Sequence, residues 1–332
     1  AETENFTARG LDDTLDTTRG NQWLGALGFE WQSEDGSLFQ TGRISGTRVD
    51  RDTFDATGAL ARATTGDTYK ASYQIGRHFA TPEIADSQHT ITLGYDLIAE
   101  TFTRLPPSAL PVQTRTTNSL VGEYRGTFSD QLHLTAAVRH DINEHFLNAT
   151  TFSLSGAWDI PNTDTTIHSS IGTGTKNPSF VELFGTDPAA FVGNPDLIPE
   201  TSLGWDVGVR QTMLDGMVTV DLTYFNQNLE NEITTVYDAI WTPKTVVNAA
   251  GLSTRQGVEL AATLDLFNGF TASGSYTYTD SRDPAGLIEA RRPVHTGVIN
   301  LAYSFEEIPL RVNTEVVMVG ESEDIGGTIL PG

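Results

Sequence analysis

The residue types that could do chemistry are scattered along this chain rather than convergent. Its seven histidines are His78, His89, His133, His140, His145, His168 and His295. The tightest grouping is His140-Asp141 with His145 nearby, but neighbours on a strand point to opposite faces and do not converge as metal ligands do. His140-Asp141 with a distant serine is no triad signal either, since a triad is recognised by geometry. "GTGTK" (Gly172, Gly174, Lys176) resembles a phosphate loop, yet it lacks the G-x4-GK[ST] spacing and a following helix. Strand glycines facing a crowded interior account for it better. "DRDTFD" places Asp50, Asp52 and Asp55 in what reads as a long loop; clustered oxygens can hold calcium, but the EF-hand spacing and its Gly are absent. A solvated acidic loop is the favoured reading. The loop aromatics Phe180, Phe184, Phe191, Tyr237 and Trp241 could pack on a bulky ligand or on one another, and the residues alone leave both open. Nothing here predicts an enzyme, a cofactor or a resident metal.

The elements that position these residues are strands. Period two dominates: in "SLGWDVGVRQ", Leu203, Trp205, Val207 and Val209 share one face, with Gly204, Asp206, Gly208 and Arg210 on the other. "MVTVDLTYFNQ" and "QGVELAATLDLF" alternate in the same way, as do "LVGEYRGTF" and "HTITLGYDLIAE". Strict alternation over such lengths is the strand template with one apolar and one polar face. It predicts strands over 22–32, 37–48, 67–79, 88–100, 115–128, 131–142, 148–158, 165–175, 201–213, 217–230, 253–266, 270–281, 292–304 and 310–320. Most exceed an ordinary globular strand of about five or six residues and reach the roughly 9–11 that a tilted strand needs to cross a bilayer.

Connections alternate short and long. "SEDG", "SD", "PNTD", "LDG", "NG" and "EEIP" carry hairpin-turn chemistry. The long ones are 49–66, 101–114, 176–200, 231–252 and 282–291. "NEHF" (Asn143 to Phe146) breaks the parity, being short where a long connection is due. An up-and-down outer-membrane barrel has this parity, with short turns inside and long loops outside; a soluble sandwich has no reason to keep it. Aromatics at strand ends (Trp23, Trp31, Trp158, Trp205, Tyr276, Tyr278, Tyr303, Phe305) suit interfacial girdles.

Composition agrees by exclusion. Acidic residues outnumber basic ones 43 to 20, for a net charge of −23, which argues against nucleic-acid binding. The absence of cysteine excludes disulfides and thiolate sites. No apolar run is long enough for a transmembrane helix, but a closed barrel satisfies its backbone without one.

Specific motifs then appear in order: "GTGTKNPSFVELFG…FVGNPDLIPETSLGWDVGVRQ", "VTVDLTYFNQNLENEI", "NAAGLSTRQGVELAATLDL", "FTASGSYTYTDS" and "RRPVHTGVINLAYSF". From about Ile167 to Phe305 the chain resembles the barrel of TonB-dependent outer-membrane receptors, and within that family the vitamin B12 receptor-like branch. The turn motif departs from the family's Gly-Lys-x-Pro by reading Gly-Thr-Lys-Asn-Pro.

The resemblance implies an all-β, antiparallel, up-and-down transmembrane barrel, of which residues 1–332 would supply about 14 of about 22 strands. An N-terminal plug domain and the last strands would lie outside this chain, with about three strands after it and roughly five before. The strand would leave the membrane at Thr175, and Pro195 to Glu200 would steer the chain back. On the polar face, Arg125, Arg139, Asp206, Arg210, Asp221, Glu259 and Asp265 would line the lumen and dock the plug. The implied function is active uptake of a scarce bulky nutrient across the bacterial outer membrane. Cobalamin or another corrinoid stands first, and a ferric siderophore or haem second. The partners would be outer-membrane lipid and the TonB energy-transduction system, acting through the plug on a monomer. The rivals are a passive porin or adhesin barrel, a barrel enzyme and a soluble β-sandwich.

Overall fold

The computed structural model describes residues 2–7, 10–105, 109–185, 191–238, 243–266, 269–323 and 329–330, with side chains from Asp16 onward except that of Pro243. In chain order the elements are β1 (Glu2–Thr7), β2 (Gly10–Gln32), β3 (Leu38–Phe54), β4 (Leu60–Thr81), β5 (Ser87–Leu105) and β6 (Leu110–Phe128). They continue as β7 (Leu132–Asn143), β8 (Ala149–Ile160), β9 (Thr165–Lys176), α1 (Phe180–Phe184), β10 (Glu200–Met213) and β11 (Val218–Glu230). Next come β12 (Ile233–Tyr237), β13 (Pro243–Asn248), β14 (Leu252–Leu266), β15 (Phe270–Arg282), β16 (His295–Ser304) and β17 (Arg311–Val319), with β18 (Ser322–Glu323) and β19 (Ile329–Leu330) last. A 15-stranded antiparallel sheet runs from β1 to β17 in chain order, β12–β13 and β18–β19 standing apart as two-stranded pieces. The order is open: β1 and β17 are its edges.

Register converts the sequence alternation into two continuous faces. One row crosses five strands as Ile167, Val209, Leu222, Leu260 and Tyr276, each the direct partner of the next. All five are exposed. One residue along, the opposite face carries Thr166, Arg210, Asp221, Ala261 and Ser275. The buried hydrophobics among the described residues are Ala63, Phe102, Leu183, Leu197 and Val246, none of them from the apolar rows. The apolar face is therefore not pressed against a second sheet, which removes the soluble sandwich. No described helix is long and apolar enough to cross a membrane, so the strands are what can span one.

Glycine on the polar face makes room for aromatic rings. At Gly257 a Cβ would run into the Tyr278 carbonyl oxygen of the neighbouring strand and come within 2.7 Å of the ring of Phe225, its direct partner. Only glycine fits there.

Fourteen of the main-sheet strands fall where alternation places them; three features do not. β1 is a fifteenth strand of the sheet, and β12–β13 forms a hairpin inside a stretch read as loop. Pairing also runs well past the predicted ends: β3 reaches Phe54, β4 starts at Leu60, β5 reaches Leu105 and β6 starts at Leu110. Beyond the apolar band neither face has to be apolar, so hydropathy stops alternating while the backbone ladder continues. Asp50 and Asp52 accordingly sit on β3, opposite Thr65 and Ala63, and not in a loop. Only Asp55 lies in the turn, where its carboxylate accepts from Thr57 N at 2.8 Å and Ala59 N at 3.0 Å.

Candidate functional site

The polar face carries a graded set of ion pairs. Arg139 donates to Asp96 and Asp141, each at 2.8 Å, and to Ser119 Oγ at 2.6 Å. Arg210 donates to Asp221 at 3.0 Å, and Asp221 also faces His168 at 3.3 Å and accepts from Thr223 at 3.0 Å. Ser170 donates to Asp206, and Arg125 pairs with Glu123 at 2.8 Å. Glu259 and Asp265 share this face, opposite Thr223 and Thr271. All seven residues expected to line the lumen thus lie on one side of the sheet. His140 falls on the apolar face beside Thr150 and Asp141 on the polar one, so the His140-Asp141-His145 grouping stays divergent.

At the end of the sheet that bears the long connections, the chain builds a crown. Its centre is the stretch between β9 and β10. Pro178 is fully buried. Ser179 caps α1: its Oγ accepts from Glu182 N at 3.3 Å, and Glu182 Oε2 accepts from Ser179 N at 2.6 Å. This is the reciprocal capping box, which satisfies two helix-start donors. Gly185, at φ +68°, closes the turn with its N–H on Val181 O, a conformation other residues adopt at a cost.

α1 docks on the extended tips of β5 and β6. Arg104, only 5 % exposed, donates to Phe184 O at 3.1 Å and Gly185 O at 2.9 Å. Arg115 pairs with Glu100 at 2.8 Å and donates to Pro178 O at 2.6 Å. Its guanidinium lies 4.8 Å from the centroid of the Phe180 ring, which stacks on Phe102 at 5.7 Å and neighbours Phe184 at 6.3 Å. The short β7–β8 connection explains this reach. β7 stops at Asn143, leaving a low stretch of wall between the β5–β6 tips and β9. Asn177 Nδ2 bonds Asn143 Oδ1 across it at 3.1 Å, and Phe146 packs on the crown's core. The parity-breaking "NEHF" is where the neighbouring loop crosses.

The second half of that loop locks onto β12–β13. Leu183, Leu197 and Val246 form a small core, with Phe146, Phe184, Phe191 and Ile233 against it. Asn194 is the fastener: its N–H donates to Glu182 O at 2.8 Å, its Nδ2 to Val246 O at 3.0 Å, and its Oδ1 accepts from Asp196 N at 3.0 Å. Glu200 closes the base, taking Ile233 N at 2.7 Å on one oxygen and Lys176 Nζ at 2.9 Å on the other. Arg255 extends the network, bonding Glu232 at 2.9 Å and Glu289 at 3.0 Å. Burial pushes the Glu289 carboxyl up, but Arg255, Ser281 and Arg292 outweigh it and hold the group below its ordinary value.

Of the predicted ligand aromatics, Phe180, Phe184 and Phe191 are brought together, by packing crown segments on one another. Tyr237 ends β12, and Trp241 lies outside the described residues. Asp50 accepts from Thr65 at 2.8 Å and Arg48 at 3.2 Å. Among the described residues no group of three or more His, Asp or Glu is placed to hold a metal ion. Sequence reasoning missed Arg104, Arg115, Glu100, Glu232, Arg255 and Glu289. Polar-face parity could have found Arg115, Glu100 and Arg255; nothing periodic marks the others.

Comparison with known proteins agrees with this geometry. A family model described as "TonB dependent receptor-like, beta-barrel" matches residues 2–329. The vitamin B12 transporter BtuB of Vibrio vulnificus is 32% identical over 130 residues, 38% of this chain and 19% of that protein. The ferric enterobactin receptor PfeA of Pseudomonas aeruginosa, solved with enterobactin, superposes with a TM-score of 0.78 at 16% identity, over 95% of this chain and 53% of that one. The Serratia marcescens hemophore receptor HasR, in complex with HasA and heme, gives 0.76 at 15% identity, over 92% and 59%. The chain thus spans about a fifth of the BtuB relative and about half of those structures.

Proposed function

The chain belongs to the TonB-dependent receptor family, whose barrels lie in the bacterial outer membrane, and on that premise we propose that it is part of a receptor for active uptake of a bulky nutrient, a corrinoid in first place. The observation that supports the corrinoid is the match to the vitamin B12 transporter, at 32% identity. A ferric siderophore or haem is the second reading, favoured by the siderophore and hemophore receptors among the structural neighbours.

In this reading the apolar rows face lipid, the crown is extracellular, and the polar face looks into the lumen. A plug domain contributed by the same protein would dock there, on the exposed guanidinium of Arg125 and on Arg210 and Arg139, whose carboxylate partners leave them oriented. Ion pairs that can be exchanged suit a surface that must release its plug when the TonB system pulls on it. Phe180, Phe184 and Phe191 shape the mouth from within the crown. Transport makes and breaks no covalent bond.

The test is equilibrium binding to the intact receptor in detergent, with cyanocobalamin and ferric enterobactin as the two probes. Saturable cyanocobalamin binding with no ferric enterobactin signal is expected. Binding of the iron chelate alone would replace the corrinoid by the second reading, and free diffusion of small sugars through the reconstituted protein would replace gated uptake by passive passage.

A further inference from the structure

One cation on the outward face of the wall has no partner. Arg77 lies on β4 between its direct partners Leu38 on β3 and Ile91 on β5, in the face that carries Ile75 and Leu93. It is exposed, and no carboxylate, carbonyl or ring among the described residues engages its guanidinium. The other described cations of this face, Arg19, Arg48 and Arg282, all stand at the crown end. Arg19 lies 5.1 Å from the centroid of the Phe54 ring, and the other two bond Asp50 and Asp280. Arg77 instead stands four residues before the end of β4, close to the turn away from the crown. Beside it the wall is grooved. A trough of about 560 Å³ runs between Leu38, Ile75, Phe79, Ile91 and Leu93, with Arg77 among its walls. Beyond Phe79 the face turns polar: His89 stacks on the Phe79 ring at 4.8 Å and hydrogen-bonds the hydroxyls of Thr81, Ser87 and Tyr124 at 2.7, 3.0 and 2.8 Å.

We propose that Arg77 and this trough hold a glycerophospholipid of the periplasmic leaflet, its phosphate on the guanidinium and one acyl chain along the trough. The inference rests on the orientation given above, with the crown extracellular. The depth fits. Ten residues separate Arg77 from Asp67 on the same strand, and the pairing of Asp67 with Arg48 marks the crown-side edge of the apolar rows. At about 3.3 Å per residue and a tilt of roughly 40°, that is about 25 Å along the membrane normal, the height of a barrel's apolar band. Arg77 therefore stands at the inner boundary, where a long side chain keeps its stem in the apolar row and lifts its charge to the headgroups. The chemistry fits too. A guanidinium held beside hydrocarbon needs an anion, and its planar fork matches phosphate. The chain has 43 acidic residues, yet none among the described residues bonds Arg77. A headgroup without phosphate would leave the charge unmet.

The experiment uses the full-length receptor in maltoside detergent, with added phosphatidylglycerol that carries a diazirine on one acyl chain, or the diacylglycerol with the same chains. Illumination followed by peptide mapping reads which residues the chain touches. Phosphatidylglycerol is expected to label β4 and β5 between Ile75 and Leu93, and the diacylglycerol about tenfold less, the size expected from one hydrogen bond to a charged group. Arg77→Gln should lower the phosphatidylglycerol label by the same factor, and Arg77→Lys should keep most of it. Ile75→Trp, which fills the trough and leaves the charge, should move the label off these strands. Labelling that ignores the headgroup, that is spread evenly around the outward wall, or that neither Arg77→Gln nor Ile75→Trp alters overturns the proposal. Binding of cyanocobalamin or ferric enterobactin should be the same in every variant. Failure of the unmutated receptor to bind either cargo would bear on the uptake reading and not on this site.

Discussion

The spanning wall and the crown are built from the same strands and held by different forces. In the wall every side chain has one of two fates, fixed by its parity: Leu222 goes out and Asp221 goes in. Stability there comes from an unbroken ladder and from the surroundings on either face. The crown has almost no ladder of its own beyond β12–β13. It relies on three buried apolar side chains, a buried arginine bonded to main-chain carbonyls, and a few asparagine and glutamate fasteners. A sheet edge spreads its load over many equivalent bonds; the crown concentrates it on a handful.

The sharpest way to break that contrast is to empty the crown's core. Leu197 is 3 % exposed between Leu183 and Val246. Leu197→Ala is expected to cost the crown about 2–5 kcal/mol, the usual range for a large-to-small core change. In the intact receptor, amide exchange should quicken across 191–200 and 243–248 while β10 and β11 keep their protection. Equal loss of protection in the strands would mean that crown and wall unfold as one unit and that the distinction is wrong.

The two regions also differ in how far the sequence discloses them. The wall was legible nearly strand by strand because one face must meet lipid and the other must not, so hydropathy records register directly. Where that demand ends the record ends too, and the tips of β3 to β6 were missed although their pairing is as regular as the rest. The crown left another kind of trace. "GNPDLIPE" stands out as a motif, and the structure shows why each part is needed: Gly193 passes close to Gly185 and Leu183, Asn194 fastens three segments, Leu197 fills the core and Glu200 closes the base. What could not be read was the far side of each contact. Arg104 lies 80 residues from the carbonyl it holds, and no local pattern reports a partner at that distance.

A second prediction sharpens the wall's half of the comparison. Leu222→Arg places a charge in the middle of the apolar row that runs from Ile167 to Tyr276. Arginine on the lipid face of a barrel costs about 2–4 kcal/mol near the midplane. Unfolding of the reconstituted receptor in denaturant should show a lowered midpoint of about that size. The matching change on the opposite face, Thr223→Arg, should cost much less, since the added guanidinium finds water and Asp221 beside it. Equal penalties on the two faces would contradict the assignment of inside and outside.

The smallest expected effect concerns the turns that terminate the wall at the end away from the crown. Asp35, in the turn between β2 and β3, accepts from Ser33 Oγ at 2.6 Å, from Ser37 N at 3.1 Å and from Ser37 Oγ at 2.8 Å. These bonds, the Ser33 hydroxyl first, bring its carboxyl down to about 2. Hydrogen bonds made to the ionised form favour that form, so the folded turn binds its proton more weakly than the unfolded chain does. The stabilisation is therefore complete above the ordinary carboxyl range near 4 and fades as pH falls from there toward 2. Asp55, at the crown-side turn, is lowered by the same kind of contact, chiefly the Thr57 hydroxyl, so the two ends of β3 should soften together in acid and be insensitive between pH 5 and 8. Chemical shifts of the Ser37 and Thr57 amides, followed through an acid titration of the receptor in detergent, measure this directly. A midpoint near 4 at Ser37 would mean that the Asp35 carboxylate does not hold its turn.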